Sequence, residues 1–438
     1  MIDPDRRPPS ARPRFPLPRP ELPVLDAPLT DLDPEIAALI AGDAHRQADT
    51  IDLIASESTA PAAVLEALGS VVSNKTGEGY PGHRYHRGTA WVDGIETLAI
   101  DRAKVLFGAE HANVQPHSGV NANLGVYQAV LKPGDRVLAL RLAHGGHLSH
   151  GDPASITGRV YDFAHYGVRA SDERIDMDEV EALARSHRPR LIVAGGSAYP
   201  RLIDYGAFAA IAHEVEALFL VDMAHIAGLV AAGVVASPVP HADFVTFTTY
   251  KTLLGPHGGM ILSRAAHARR IDRAIFPGTQ GAPDFGRIAA KAVAFRVATS
   301  PWFHGIQRRI VANAQALSEA LTARGDRLVA GGTDTHLVLV DLRARGMTGD
   351  VAEEALEAVG ILANRNMIPF DVGTPDAPSG IRFGTSSIAE RGYEPQDMRD
   401  VGDLIDRALR APNAASRAAI ADAVVDLARR RPGYPVPK

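Results

Sequence analysis

From about residue 94 the chain alternates short, unbroken apolar runs with amphipathic stretches. The runs are Arg136–Leu142, Arg190–Tyr199, Leu218–His225, Phe244–Lys251 and Gly258–Ser263, and segments such as Asp178–Ser186 and Tyr205–Val215 between them carry helical periodicity. A strand that is apolar at successive positions is buried on both faces. The alternation therefore predicts an α/β fold, a largely parallel sheet with helices on either side. Near residue 300, at TSPWF, the pattern changes. A helix predicted from about Phe303 to Arg324 leads to His336–Leu342, then Val351–Ala358 and a last strand-like SGIRFG, a smaller C-terminal α+β domain. Met398–Leu409 and Ala414–Arg430 are expected to be closing helices. Near the start, Asp33-Pro34-Glu35 combines a cap, a proline for the first helical position and an acid for the first turn. Ile51 to Glu57 reads as a short extended stretch that turns polar. The expected division is an arm at 1–32, a helical and extended segment at 33–75, a large domain at 76–298 and a small one at 299–438.

Composition changes this picture at few points. Nine of the 31 prolines fall in residues 1–28, interleaved with arginines, which predicts an extended or disordered arm. A net charge of −5 argues against nucleic acid or an anionic membrane as the main partner. With no cysteine, disulfides and thiolate chemistry are excluded, and any metal would need His, Asp or Glu. The longest apolar stretch, Ile226 to Ala236, is too short to span a bilayer, and no secretory signal is visible, so a cytoplasmic location is expected.

Candidate chemistry gathers at the ends of the apolar runs. FVTFTTY stops at Lys251, and a lysine at the end of a buried strand has an amine that is easily neutral and able to condense with an aldehyde. The alternative is a side chain that reaches out to water. Asp222 ends another run, with His225 three residues on. A buried carboxylate there calls for a cationic partner such as a protonated cofactor ring nitrogen, unless it simply caps the next turn. Ser118-Gly119 feeds a helix start, a place suited to phosphate. His144, His147 and His150 have the spacing of metal ligands, but a ring lying against an aromatic cofactor is the preferred reading. Gly77 to Gly88 is a polar, glycine-rich loop suited to a site or to plain surface. Arg382, in the last strand, is able to grip a carboxylate or to form a structural ion pair.

Taken in order, LIASES, NKTGEGYPGHRY, FGAEHANVQPHSG, LAHGGHLSHG, SAYPR, VDMAHIAGLVAAG, TTYKTLLGPHGG, FPGTQG, GGTDTHLVLVDL and SGIRFGT resemble serine hydroxymethyltransferases, from about residue 33 to 405. The resemblance implies a fold-type-I, aspartate-aminotransferase-like enzyme using pyridoxal 5'-phosphate, with tetrahydrofolate as a possible co-substrate. It makes Lys251 the lysine that binds the cofactor's aldehyde, His147 the ring stacked on it and Asp222 the partner of its ring nitrogen. His225 and Ser197 would lie near its phenolic oxygen, with Thr248 and Tyr250 in the same cofactor set. Ser118, Gly119 and, from a partner subunit, Gly281 would bind phosphate. Ser56 and Arg382 would bind the amino acid's carboxylate, and Glu78 would handle the proton at its hydroxyl. Tyr85, Leu142, Gly146 and Asn366 match a folate pocket. The site would span two subunits of a homodimer or tetramer.

Departures from the family pattern bear on substrate. Thr76 and His86 stand where tyrosines are usual, Tyr250 where histidine is, His257 where arginine is, and Val120 where serine or alanine is. In a more loosely aligned loop, Phe370 and Asp376 replace the usual Asn and Phe. Thr76 and His86 would border the substrate's α-carbon and carboxylate, as in the branch of the family that acts on α-methylserine. His257 removes a fixed cation, and Asp376 adds negative charge near the expected folate site. Three readings follow: a hydroxymethyltransferase acting on serine or α-methylserine, a folate-independent threonine aldolase or transaldolase, and an inactive paralogue serving as a binding or regulatory subunit.

Overall fold

The computed structural model describes residues 27–411, 413–431 and 433. Most of the expected arm lies outside that range. Its last residues, Leu29–Leu32, form one helical turn rather than extended chain.

Helix α1 runs from Pro34 to Asp49 and starts as its opening residues dictate, with the Asp33 carboxylate accepting from the Ile36 backbone N–H at 3.0 Å. After α2 (Ala90–Phe107), a seven-stranded sheet is built from β1 (His111–Asn113), β2 (Arg136–Leu140), β3 (Asp162–Tyr166), β4 (Leu191–Gly195), β5 (Leu218–Asp222), β6 (Phe244–Thr248) and β7 (Gly259–Ser263). Their spatial order is β1-β7-β6-β5-β4-β2-β3. The five central and far strands are mutually parallel, while β7 runs antiparallel to both β6 and β1. Successive residues of each strand enter opposite cores. Leu138, Ile192, Val221 and Phe247 pack with α2 and with α4 (Phe285–Ala298) on one face. Val137, Leu191, Leu220 and Phe244 pack with α3 (Gly119–Val130) on the other. This double burial is why the runs read as continuously apolar.

Helix α5 (Pro301–Thr322) links this layer to the next. Its Phe303, Ile306 and Ile310 sit in the large core, while Ala314, Leu317 and Leu321 sit in a second one. It begins before the expected Phe303 because Ser300 caps it, accepting from the Phe303 N–H at 3.2 Å, and Pro301 fits its first turn. The second core lies against a four-stranded antiparallel sheet of β8 (Arg327–Leu328), β9 (Leu337–Asp341), β10 (Asn364–Asn366) and β11 (Gly380–Gly384), ordered β8-β9-β11-β10. Val351–Ala358 belongs to a helix, Gly349–Glu357. Helices α6 (Met398–Arg410) and α7 (Ala414–Arg429) close this core. Ile51 and Leu53 also enter it, and Ile51–Asp52 pairs in parallel with Ile361–Leu362. The segment just after α1 is thus bonded to chain three hundred residues away.

Two expectations need correction. The strand before Lys251 ends at Thr248, so the lysine sits in the turn beyond it. Gly77–Gly88 is not purely loop: Gly79–Tyr80 and His83–Arg84 pair as a minimal hairpin. Arg84 ties that hairpin to α2 through Asp93 at 2.8 Å and through buried Glu96. Among the described residues no helix is long and apolar enough to cross a membrane.

Candidate functional site

The site is set by what happens where β6 stops. Past Thr248 the chain folds back in a tight turn. The Thr249 N–H donates to Gly258 O at 3.1 Å, the Gly255 N–H to Thr249 O at 2.7 Å and the Leu254 N–H to Lys251 O at 3.0 Å. Leu254 takes a left-handed φ of 60°, which a leucine adopts only when its surroundings hold it there. Lys251 is buried at 7% exposure, yet its Nζ donates to no acceptor among the described residues. Burial, with Arg382's charge adding to it, lowers the amine to about 8, and Asp222 opposes the fall. At that value roughly a tenth of the amine is neutral at pH 7, several hundredfold more than for an ordinary lysine, and that fraction is able to act as a nucleophile.

Asp222 ends β5 and is held by three donors: Asn123 Nδ2 at 2.8 Å, His150 Nε2 at 3.1 Å and the Ala224 N–H at 3.0 Å. Burial alone would push its proton affinity up. The bonds from His150 and Asn123 outweigh it and hold the carboxyl well below the usual range. The carboxylate is therefore charged in the floor of the site. His147 shares a hydrogen bond with Ser149 Oγ at 2.7 Å, and burial lowers it to about 4, so its ring is neutral. His225 is also buried and neutral, with its Nδ1 3.2 Å from Nε2 of His336. The three histidines of the 144–150 run turn to different partners: His144 accepts from the Val168 N–H at 3.0 Å, His147 meets Ser149 and His150 meets Asp222. Among the described residues no cluster of three side chains is placed to hold a metal ion.

Arg382, on β11, donates to Asn364 Oδ1 at 3.1 Å and to the Ser197 carbonyl at 2.5 Å, and among the described residues it has no carboxylate partner. Burial lowers it only to about 10, so it stays cationic. A buried guanidinium without a counter-ion is costly unless a ligand anion supplies one. Ser56 lies next to Ala55, which packs against Gly384 at the end of the same strand, and it lines a cavity of about 460 Å³ with Tyr250 and His257, whose rings stack 3.8 Å apart.

At the start of α3, Ser118 Oγ caps the helix by accepting from the Asn121 N–H at 3.1 Å. Gly119 has no room for a side chain, since a Cβ would lie 2.7 Å from Thr248 Cγ2. Gly259 is equally confined against the Ser118 carbonyl. A cavity of about 370 Å³, lined by Ser118, Val120, Asn121 and Thr279 among others, opens beside this turn.

A profile of the serine hydroxymethyltransferase family matches residues 29–405. A curated serine hydroxymethyltransferase from Desulforapulum autotrophicum is 56% identical over 384 residues, which cover 88% of this chain and 92% of that protein. The chain belongs to the serine hydroxymethyltransferase family. It is accordingly a fold-type-I transferase that uses pyridoxal phosphate as cofactor and tetrahydrofolate as co-substrate. The groups present fit that cofactor: an unengaged amine at Lys251, a charged carboxylate at Asp222 for a protonated ring nitrogen and a glycine-lined helix start for a phosphate.

Family enzymes act as oligomers. A second group of residues stands apart from the first. Glu78 Oε1 lies 3.5 Å from where a Cβ on Gly281 would be. His86 Nδ1 accepts from the Glu78 N–H at 3.3 Å, and the exposed Tyr85 ring meets Phe276 at 5.7 Å. Among the described residues no hydrogen bond or ring contact joins this group to Lys251 or Arg382. Thr76 precedes it, its carbonyl accepting from Lys75 Nζ at 2.8 Å. Of the positions matched to folate, Leu142 opens the turn beside Arg141, Gly146 donates to Arg141 O at 3.1 Å, and Asn366 ends β10 opposite Gly380. Phe370 packs on His144, with ring centres 4.9 Å apart.

Sequence reading singled out His150 by its spacing from His144 and His147 but not as the partner of Asp222, and it missed Asn123, His336 and Lys291. Asn123 carried a faint signal, a polar side chain amid the apolar helix that follows Ser118. The others looked like ordinary residues of their segments.

Proposed function

We propose that this chain exchanges a one-carbon unit between the β-carbon of a hydroxy amino acid and tetrahydrofolate, with Lys251 as the residue that holds the cofactor. The observation that carries this reading is that a buried amine with no hydrogen-bond acceptor, a charged carboxylate at Asp222 and a guanidinium at Arg382 without a carboxylate partner lie close enough for the two charges to act on the amine. Bound pyridoxal phosphate supplies an electron sink for negative charge at the amino acid's α-carbon. Asp222 keeps the ring nitrogen's proton in place, and Asn123 and His150 keep Asp222 ionised. His147, neutral and fixed by Ser149, presents a flat ring. Arg382 and Ser56 orient the substrate's carboxylate, and Glu78, brought in from a neighbouring subunit, holds or moves the proton at the substrate hydroxyl. Ser118 and Gly119, with Gly281 from the neighbour, supply the phosphate's donors. The 1–32, 33–75, 76–298 and 299–438 division remains part of this proposal.

The amino acid preferred depends on Thr76 and His86. His86 is tied to the backbone of Glu78, so it belongs to the wall that Glu78 presents. Thr76 lies two residues before Glu78, and Thr76 and His86 stand where the family usually has tyrosines. Space for one more methyl group changes discrimination by roughly 1–3 kcal/mol. The expected substrate is therefore bulkier than serine at the α- or β-carbon, with α-methylserine first and threonine second. The test is kcat/KM for serine, α-methylserine and threonine, each with and without tetrahydrofolate, in wild type and in Thr76→Tyr/His86→Tyr. A wild type that prefers serine, with ratios unmoved in the double variant, makes this an ordinary serine enzyme. Turnover of threonine unaffected by folate favours the aldolase reading instead.

A further inference from the structure

Lys291, on α4, has no place in the chemistry above and is one of the most buried side chains in the molecule, with no exposure at all. Its Nζ donates to three backbone carbonyls, Val114 O at 2.6 Å, Pro116 O at 2.9 Å and Gly259 O at 2.8 Å. Three acceptors match the three donors of an ammonium, whereas a neutral amine has only two N–H groups, so the cage selects the charged form. Among the described residues no carboxylate forms an ion pair with it, and Asp284 and Glu96 act on it only from farther off, so its positive charge is buried without a bonded counter-ion.

Its location gives that charge a target. Two of its acceptors, Pro116 and Gly259, are also bonded to each other, the Gly259 N–H donating to Pro116 O at 2.9 Å. Gly259 in turn lies against the Ser118 carbonyl and the Gly119 N–H. One glycine therefore separates the ammonium from the turn that opens α3. The same Lys291 side chain fills the space where a Cβ on Gly258 would stand, 2.5 Å from Cε, and Gly258 O receives the Thr249 N–H of the Lys251 turn. The cage thus joins the turn before the helix to the turn that carries the cofactor's lysine.

We propose that Lys291 is a positioning residue for the cofactor's phosphate, its buried ammonium both fixing the Ser118–Gly119 turn and supplying from behind the positive field that a dianionic phosphate requires. This rests on the reading that the phosphate sits at Ser118–Gly119. In the low-dielectric interior a cation one residue behind an anion's site, screened only by protein, strengthens binding beyond what a surface lysine would.

The test compares binding of pyridoxal phosphate and of pyridoxal, which lacks the phosphate, to full-length chain freed of cofactor, read from the visible band each forms. Ser118→Ala, Lys291→Met and the milder Gly258→Ala, whose methyl would push the ammonium off its carbonyls, are measured beside wild type. The expected result is that Lys291→Met weakens the phosphate form roughly 10- to 100-fold and pyridoxal less than about threefold, with Gly258→Ala shifting the ratio the same way by less. If Lys291→Met does not fold, the Gly258→Ala ratio decides alone. Equal weakening of both ligands, or of neither, overturns the proposal and leaves Lys291 a structural pin. If Ser118→Ala also fails to discriminate between the two, the phosphate is elsewhere, and the reading on which the proposal rests falls with it.

Discussion

Lys251 and Lys291 are both buried lysines in turns or helices around the same end of the same sheet, and they do opposite things. Burial pulls both amines down, Lys251 to about 8 and Lys291 toward about 7, so burial by itself does not distinguish them. Their hydrogen bonds do. Each charge-assisted bond of the Lys291 cage is worth about 1.5–3 kcal/mol, and all three donors are used, so that amine has nothing left to offer a ligand. Lys251 lies at the mouth of the β5 and β6 strand ends with its hydrogens unassigned and two charged groups, Asp222 and Arg382, in its surroundings. Burial makes a lysine unusual, and an absence of backbone acceptors makes it reactive.

The comparison fails outright if the wrong amine carries the cofactor. Lys251→Ala is expected to abolish both turnover and the borohydride-reducible link to cofactor, while Lys291→Ala retains the link. A reduced, labelled peptide containing Lys291 would reverse the assignment. Asp222→Asn is expected to lower kcat by about 100-fold or more, because Asn123 and His150 would then face a neutral amide and the ring nitrogen would lose its anion. Steady-state kinetics on cofactor-saturated protein measures this. Arg382→Lys keeps a charge but loses the planar fork, so KM for the amino acid should rise roughly 10-fold or more while cofactor binding stays near wild type.

The remaining expectation concerns stability. Lys291→Met leaves carbonyl oxygens short of a donor and should cost about 3 kcal/mol, read from urea unfolding. Its pH dependence tests the charge itself. Burial alone would bring Lys291 to about 7, below its unfolded value of 10.5, so between those values the unfolded chain would hold more protons and wild type would gain stability as pH rises. The three carbonyls hold the proton against that pull, so the expected gap between wild type and Lys291→Met is flat across the window. A gap that widens with pH would mean that the ammonium is lost, and with it the field proposed for the phosphate.

Much of this was legible in the chain because burial leaves a local mark. The sheet announced itself through runs apolar on both faces, and Asp222 stood out as a charge closing such a run. Ser118-Gly119 and Asp33-Pro34 were readable as helix starts since capping is a matter of adjacent residues. The error at Lys251 was equally local: TTY is as β-prone as FVTF, and only the bonds from Thr249 to Gly258 and from Gly255 to Thr249 end the strand at Thr248.

What depended on the fold was every relation between distant residues. Asp222 meets Asn123 from 99 positions away and His150 from 72, and Lys291 reaches Pro116 across 175. Nothing in the spacing of a lone lysine on an amphipathic helix tells whether three carbonyls will converge on it. Nor could Arg382 be known to lack a counter-ion until its neighbours were placed. Apolar periodicity and capping act over one or two turns of chain, so sequence settles the elements and the residue types at their ends. Hydrogen-bond saturation, which decides which lysine can react, exists only once the strands are side by side.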